Sequence, residues 1–155
     1  MKPRHSIRGA VLADLERVSQ IEQASFGREA YDRKLFAHYL RRCGPLFLVV
    51  TRRKRVVGYM ITCLRGERGR QPAELVSVAV DPSMRQAGAA SALLESTLRR
   101  LQRRGATRLR LVVRVTNKPA QAFYEKYRFH RVRVLPGYYE DGGDGIAMSR
   151  PIANH

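Results

Sequence analysis

Apolar positions change their spacing several times along the chain, and each change marks an element. Ser6 to Val11 reads as a first strand. Leu15, Val18 and Ile21 then recur at helical spacing, with Asp14 placed to cap the helix they define. Asp32 to Arg42 predicts a second helix, again opened by an aspartate, and Gly44-Pro45 stops it. "LFLVVT" at 46–51 and "RVVGYMITCL" at 55–64 are apolar strands, and the "RRKR" that joins them reads as a hairpin tip rather than a localisation signal.

"RGERGRQP" is a loop. "ELVSVAV" at 74–80 is a strand apolar on both faces, the pattern of a buried one. From Gly88 to Arg104 the period is helical again, with Leu94, Leu98 and Leu101 inward and Glu95, Arg99 and Arg103 outward. Gly105 ends that helix. "RLRLVVRV" at 108–115 is a strand. Asn117 precedes a short helix holding "PAQAFYEKY", with Pro119 in its first turn. "FHRVRVL" and "GIAMSRPI" complete the order β-α-α-β-β-β-α-β-α-β-β. The expected fold class is α/β (α+β): one domain over residues 1–155, with a mixed, mostly antiparallel sheet flanked by helices.

Composition narrows the function classes. The chain has 155 residues, 44% of them hydrophobic, so a packed core is expected and disorder is not. No apolar run approaches the ~18 residues of a membrane span. The basic N-terminus lacks the apolar stretch of a signal peptide. Cys43 and Cys63 have no metal-ligand spacing and read as free thiols of a cytoplasmic protein, and no metal site is expected. The net charge of +17 either favours polyanionic partners (nucleic acid, a ribosome surface, an acidic protein or a phosphorylated cofactor) or is a solvated, arginine-rich surface. The basic runs carry no interleaved aromatics, which argues against a dedicated single-strand platform.

The stretch "VAVDPSMRQAGAASALLEST" gives the phosphate option a location. A strand ends at Asp81-Pro82, and Arg85-Gln86-Ala87-Gly88-Ala89-Ala90 then presents small residues where a helix begins. Free backbone N–H groups and the helix dipole together suit a phosphate. No Gly-Lys-Ser/Thr follows, so this is not a Walker A loop, and the Gly-x-Gly-x-x-Gly spacing is absent.

Strand, Arg-x-x-Gly-x-Ala turn and helix, followed by "LVVRV", Asn117 and "AFYEKYRF", resembles the GNAT superfamily of acetyl-coenzyme A-dependent N-acetyltransferases. The likeness spans essentially the whole chain. It is closest to the RimI-like subgroup, which acetylates ribosomal-protein N-terminal alanine, through Ala79–Pro82, Val113-Arg114-Val115-Thr116-Asn117, Tyr124-Glu125 and Tyr138-Tyr139. Arg128-Phe129 stands where the subgroup has Gly-Phe.

The resemblance implies a cofactor, acetyl-coenzyme A, with its pantetheine arm paired to the backbone of Val78 and Val80. It implies a pyrophosphate on the N–H groups of Arg85, Gln86, Ala87, Gly88, Ala89 and Ala90, and a contact from Asn117, which also suits a helix cap. Tyr124 is implied as the acid that protonates the leaving thiolate. The subgroup's base is a glutamate in "LEVR"; this chain has Val112 there. Glu74, which opens "ELVSVAV", matches the base position of the histone-lysine branch and is the substitute candidate beside a purely structural strand-end role. Phe26, Tyr31, Tyr138 and Tyr139 are candidate walls for the amine acceptor. Glu140, Asp141 and Asp144 form an acidic cluster that either attracts a cationic amine or is a glycine-rich turn with solvated carboxylates. The implied activity is acetyl transfer to a primary amine, either a protein N-terminal α-amine or a small molecule. The rival of another class is a catalytically degenerate RNA- or ribosome-binding module.

Overall fold

The structure is a computed structural model that describes residues 5–27, 32–66, 71–85 and 88–153. Seven strands form one sheet: β1 (His5–Gly9), β2 (Phe47–Arg52), β3 (Arg55–Leu64), β4 (Ala73–Val80), β5 (Arg108–Arg114), β6 (His130–Leu135) and β7 (Gly145–Pro151). Their spatial order is β1-β2-β3-β4-β5-β7-β6. Every neighbouring pair is antiparallel except β4 and β5, which are parallel. The helices are α1 (Leu15–Phe26), α2 (Arg33–Cys43), α3 (Ala89–Arg103) and α4 (Lys118–Lys126). The chain order of strands and helices is the one the hydrophobic pattern predicts.

Two cores lie on opposite faces of the sheet. Leu15, Val18 and Ile21 of α1 and Phe36 of α2 pack on Phe47, Val49, Tyr59 and Ile61. Leu93, Leu94 and Leu101 of α3 and Tyr124 of α4 pack on Leu48, Met60, Leu109, Leu111 and Met148. Because both faces are covered, β3 is buried from Val56 to Cys63, which explains its unbroken apolar run. Leu98 is only half-buried, and the inward stripe of α3 includes Leu93 and Thr97 instead.

Three local expectations need correction. The first strand ends at Gly9, and the chain turns through Leu12–Asp14, leaving Val11 and Leu12 exposed. Asp14 does not cap α1 with its side chain. It is buried, accepts two hydrogen bonds from the Arg8 guanidinium (2.7 and 2.9 Å) and one from the Val11 N–H (2.8 Å). The Arg8 hydrogen bonds hold its carboxyl below the usual carboxylate range. Asp32, by contrast, caps α2 as expected, accepting from the Leu35 N–H at 2.8 Å. Finally, Cys43 and Cys63 are not free thiols: they form a disulfide across 20 residues of sequence, with Cα atoms 4.8 Å apart. Spacing alone conceals this pairing, because it arises where the end of α2 folds back over β3.

No helix among the described residues is long and apolar enough to cross a membrane.

Candidate active site

The site begins with a break in the sheet. β4 and β5 pair at only two positions, Ala73 with Leu109 and Glu74 with Arg110. Beyond them the strands separate, so the β5-facing edge of β4 runs unpaired to Val80. On its other edge β4 stays paired with β3, Met60 opposite Val78 and Gly58 opposite Val80. Gly58 permits this close approach: a Cβ there would lie 3.1 Å from the Ala79 carbonyl oxygen and 3.0 Å from Val50 Cγ1. The splay also corrects the reading of β4 as a fully buried strand, since Val76, Val78 and Val80 are only half-buried.

An unpaired strand edge needs hydrogen-bond partners, and an extended ligand with alternating amide donors and acceptors supplies them. The turn at the open end of β4 fits the rest of such a ligand. Gly88 caps α3 in the left-handed region (φ 86°), where a non-glycine residue would be strained. Beyond its own turn, a Cβ built there would have only His5 Cε1 within 4 Å among the described residues, at 3.9 Å. Arg85 is exposed and donates to Ser25 Oγ at 3.3 Å, Ala89 is buried and Ala90 half-buried. Gln86 and Ala87 lie outside the described residues. Asn117 caps α4, its Oδ1 accepting from the Ala120 N–H at 3.1 Å, so the helix-cap role is realised.

A β-bulge re-aims β4 near its middle. The β3–β4 register jumps from Ile61–Ser77 to Thr62–Leu75, leaving Val76 as the extra residue. Val76 packs into the core under α1 and α2, and Ser77 turns to the same side. There Tyr59 donates to the Glu22 carboxylate at 2.5 Å, Ser77 Oγ lies 3.0 Å from the Tyr59 hydroxyl and Ser77 donates to Glu22 at 3.3 Å. This network joins α1, β3 and β4 across sequence separations of 37 and 55 residues. Nothing in the linear sequence signals it. Arg17 similarly ties α1 to the end of β4, donating to Asp81 at 2.5 Å and to the Val56 carbonyl at 3.0 Å. Hydrogen bonds from the Ser83 N–H and hydroxyl, and then from Arg17, pull the Asp81 pKa down to about 2.

The two residues with implied proton-handling roles differ in exposure. Tyr124 is 5% exposed, wedged edge-on between Phe123 (5.3 Å) and Phe129 (5.4 Å). Its hydroxyl makes no hydrogen bond among the described residues, and burial pushes its pKa up, so it stays protonated. Glu74 sits at the vertex of the splay, half-exposed, with Arg65 Nε at 3.2 Å. Its register partner is Arg110, and Val112 lies two residues further along β5 on the same face, roughly 7 Å away along the strand. Glu74 and the position of the missing subgroup glutamate therefore look across the same gap.

Val112 also adjoins an acceptor-wall candidate. A Cβ at Gly145 would meet Val112 Cγ1 at 2.7 Å and Tyr138 Cβ at 3.4 Å, which places both side chains against the same glycine. Tyr138 is 52% exposed and stacks edge-on against Tyr139 at 5.0 Å. The Arg114 guanidinium lies over the Tyr139 ring at 4.0 Å. Phe26 is exposed at the end of α1, and Tyr31 lies outside the described residues. The acidic cluster is engaged internally. Asp141 accepts from the Gly143 N–H and from Arg114, and Asp144 accepts from the Gly137 N–H at 2.8 Å. Two of its three carboxylates thus close the turn. No cluster of metal ligands occurs among the described residues.

Comparison with known proteins agrees with this geometry. Residues 13–129 match the acetyltransferase (GNAT) family. An N-alpha-acetyltransferase of Saccharolobus solfataricus is 32% identical over 156 residues, covering 95% of this chain and 93% of that protein. The crystal structure of Ard1 from Thermoplasma volcanium superposes with a TM-score of 0.90 at 31% identity, covering 96% of this chain and 98% of the other. The ribosomal-protein-S18-alanine N-acetyltransferase of Escherichia coli superposes at 0.83 with 30% identity, covering 97% and 95%. The chain belongs to the GNAT family of acetyltransferases, whose acetyl donor is acetyl-coenzyme A.

Proposed function

We propose that this protein transfers acetyl directly from acetyl-coenzyme A to the α-amino group of a protein N-terminus, as one acetyltransferase domain in the cytoplasm. The observation that carries the cofactor side is the two-rung β4–β5 ladder, which leaves the edge of β4 free beside an α3 start with room at Gly88. The backbone of Val78 and Val80 holds the pantetheine arm. The N–H groups from Arg85 to Ala90 hold the pyrophosphate, and the remaining amide capacity of Asn117 faces the cofactor arm. Acetyl-coenzyme A supplies a thioester-activated acetyl group and a thiolate leaving group.

Glu74 removes a proton from the attacking amine, through water where needed, and Tyr124 gives its hydroxyl proton to the departing sulfur. Phe26, Tyr31, Tyr138 and Tyr139 shape the acceptor cleft. The α-amine assignment draws support from the full-length relatives and from Val112. At pH 7.5, an α-amine of pKa about 7.8 is roughly one-third neutral, whereas a lysine of pKa about 10.4 is neutral in roughly one molecule in a thousand. A site with Val112 in place of the subgroup's carboxylate is better matched to the amine with the larger neutral fraction.

The test is an acceptor panel at fixed acetyl-coenzyme A. It comprises peptides with a free N-terminus, the same peptides N-blocked but carrying lysine, and small primary amines. Only the free N-termini are expected to react. Turnover confined to small amines overturns the acceptor assignment. Absence of any thermal stabilisation by coenzyme A overturns the cofactor assignment, because a ligand at 100 times its Kd adds about 2.7 kcal/mol.

A further inference from the structure

A cavity opens between the β2–β3 hairpin, α1 and the Asp81–Met84 turn that follows β4. It has a volume of about 440 Å³ and is lined by Arg52, Arg53 and Arg55 of the β2–β3 hairpin, by Arg17 of α1, and by Asp81 and Met84. Four positive charges face one carboxylate among the described lining residues. That carboxylate is already engaged by Arg17 and by Ser83. Arg52 contributes only a contact to the Met84 sulfur, at 3.5 Å, and Arg53 and Arg55 have no acidic partner among the described residues. Like charges converging on one hollow repel unless an anion enters it.

The hairpin tip adds an independent observation. Arg52 pairs with Arg55, so the loop has two residues, and both have positive φ: Arg53 at 52° and Lys54 at 66°. This is the type I′ geometry, for which Asn-Gly is the low-strain choice. Two long cationic side chains occupy it instead, at a conformational cost that brings no packing, since both are exposed. What the two side chains bring to this tip is charge.

We propose that the arginine-lined cavity and its hairpin tip bind the sugar–phosphate backbone of a nucleic acid. Guanidinium groups suit the choice, since their planar forks pair with phosphate oxygens in a bidentate way. The site contacts the backbone, since no aromatic lines the cavity among the described residues to stack a base. It is independent of the acetyl-transfer reading and uses none of the cofactor-turn donors assigned above.

The test is fluorescence anisotropy with a labelled RNA hairpin and, in a parallel arm, a DNA duplex of equal length, titrated from about 50 to 200 mM salt. The main variant is R53N/K54G, which removes two charges while installing the residues the turn prefers, so its melting temperature should not fall. R55Q is the second variant, and R99Q/R103Q on the outer face of α3 is the control. Each phosphate contact contributes roughly 0.7–0.9 to the slope of log affinity against log salt. R53N/K54G should therefore lose affinity across that salt range about tenfold less steeply than wild type. R55Q should flatten the slope by about half as much. The control should match wild type. The RNA and DNA arms show which backbone is preferred. Unchanged slopes in both cavity variants, an equal effect in the control, or displacement of RNA by poly-glutamate at equal charge each overturn the proposal; the last outcome would mark an acidic protein surface as the partner.

Discussion

Replacing Tyr124 with Phe should separate activity from stability. The ring lies between Phe123 and Phe129 and is 5% exposed, so Phe keeps the same edge-on contacts and volume. What disappears is a hydroxyl that has no hydrogen-bond partner among the described residues and sits in apolar surroundings. The hydroxyl oxygen keeps contact with solvent, so its removal should change stability by less than about 0.5 kcal/mol. The melting temperature should therefore move by no more than about 2 °C. If the same hydroxyl protonates the leaving sulfur, kcat should fall by about 10²–10⁴, or roughly 3–5 kcal/mol of barrier. Coenzyme A affinity should be nearly unchanged. The assay is thiol release from acetyl-coenzyme A with an N-terminal peptide under single-turnover conditions, beside thermal unfolding monitored by circular dichroism. Burial also raises the tyrosine pKa, so wild-type rates should show no loss from phenol ionisation at ordinary alkaline pH. A single-turnover rate that stays at the wild-type value in a variant of unchanged melting temperature would refute the acid assignment and leave Tyr124 as a packing residue.

Two further outcomes test the site and its frame. Glu74→Gln should depress kcat/KM most at low pH, where more amine is protonated, by about 10²-fold or more; adding V112E to that variant should restore part of the rate, and a wild-type pH profile in Glu74→Gln would show the carboxylate to be structural. Asp81 has its folded pKa depressed to about 2, so its stabilising contribution is complete above about pH 4 and is lost as pH falls toward 2. Asp81→Asn should accordingly cost about 2 kcal/mol at neutral pH and flatten the acid limb of a denaturant-midpoint titration, whereas parallel acid limbs in the two proteins would refute the assignment.

The sequence exposes the order of elements because that order is written in local periods. Helical spacing at Leu15, Val18 and Ile21, the two-sided run of β3 and the stop at Gly105 all depend on near neighbours. The cofactor turn is legible for the same reason: strand, small residues and helix follow one another within a dozen positions. The features that escape are those made by residues far apart in the chain. Glu22, Tyr59 and Ser77 meet only once α1, β3 and β4 are stacked. Cys43 reaches Cys63 only when α2 folds back on β3. Asp14 looks like a helix cap by position, yet Arg8 is close enough across the turn to claim its carboxylate. The chain also carries acidic and basic residues whose partners no spacing rule names, and so Asp141 and Asp144 read as free charge until Arg114 and the Gly137 N–H are placed beside them.

The two-rung junction between β4 and β5 has a mechanical consequence. Strands β1 to β4 and strands β5, β7 and β6 are each laced by continuous antiparallel ladders, but the seam between the two groups is stitched at Ala73–Leu109 and Glu74–Arg110 alone. The sheet is in effect two plates sharing a short seam. A ligand laid along β4 acts as an additional strand in the gap and converts the pair into one stiffer body. The N–H groups of Val76 to Val80 that point toward β5 should therefore exchange with solvent faster than those paired with β3, and should slow together when the gap is filled.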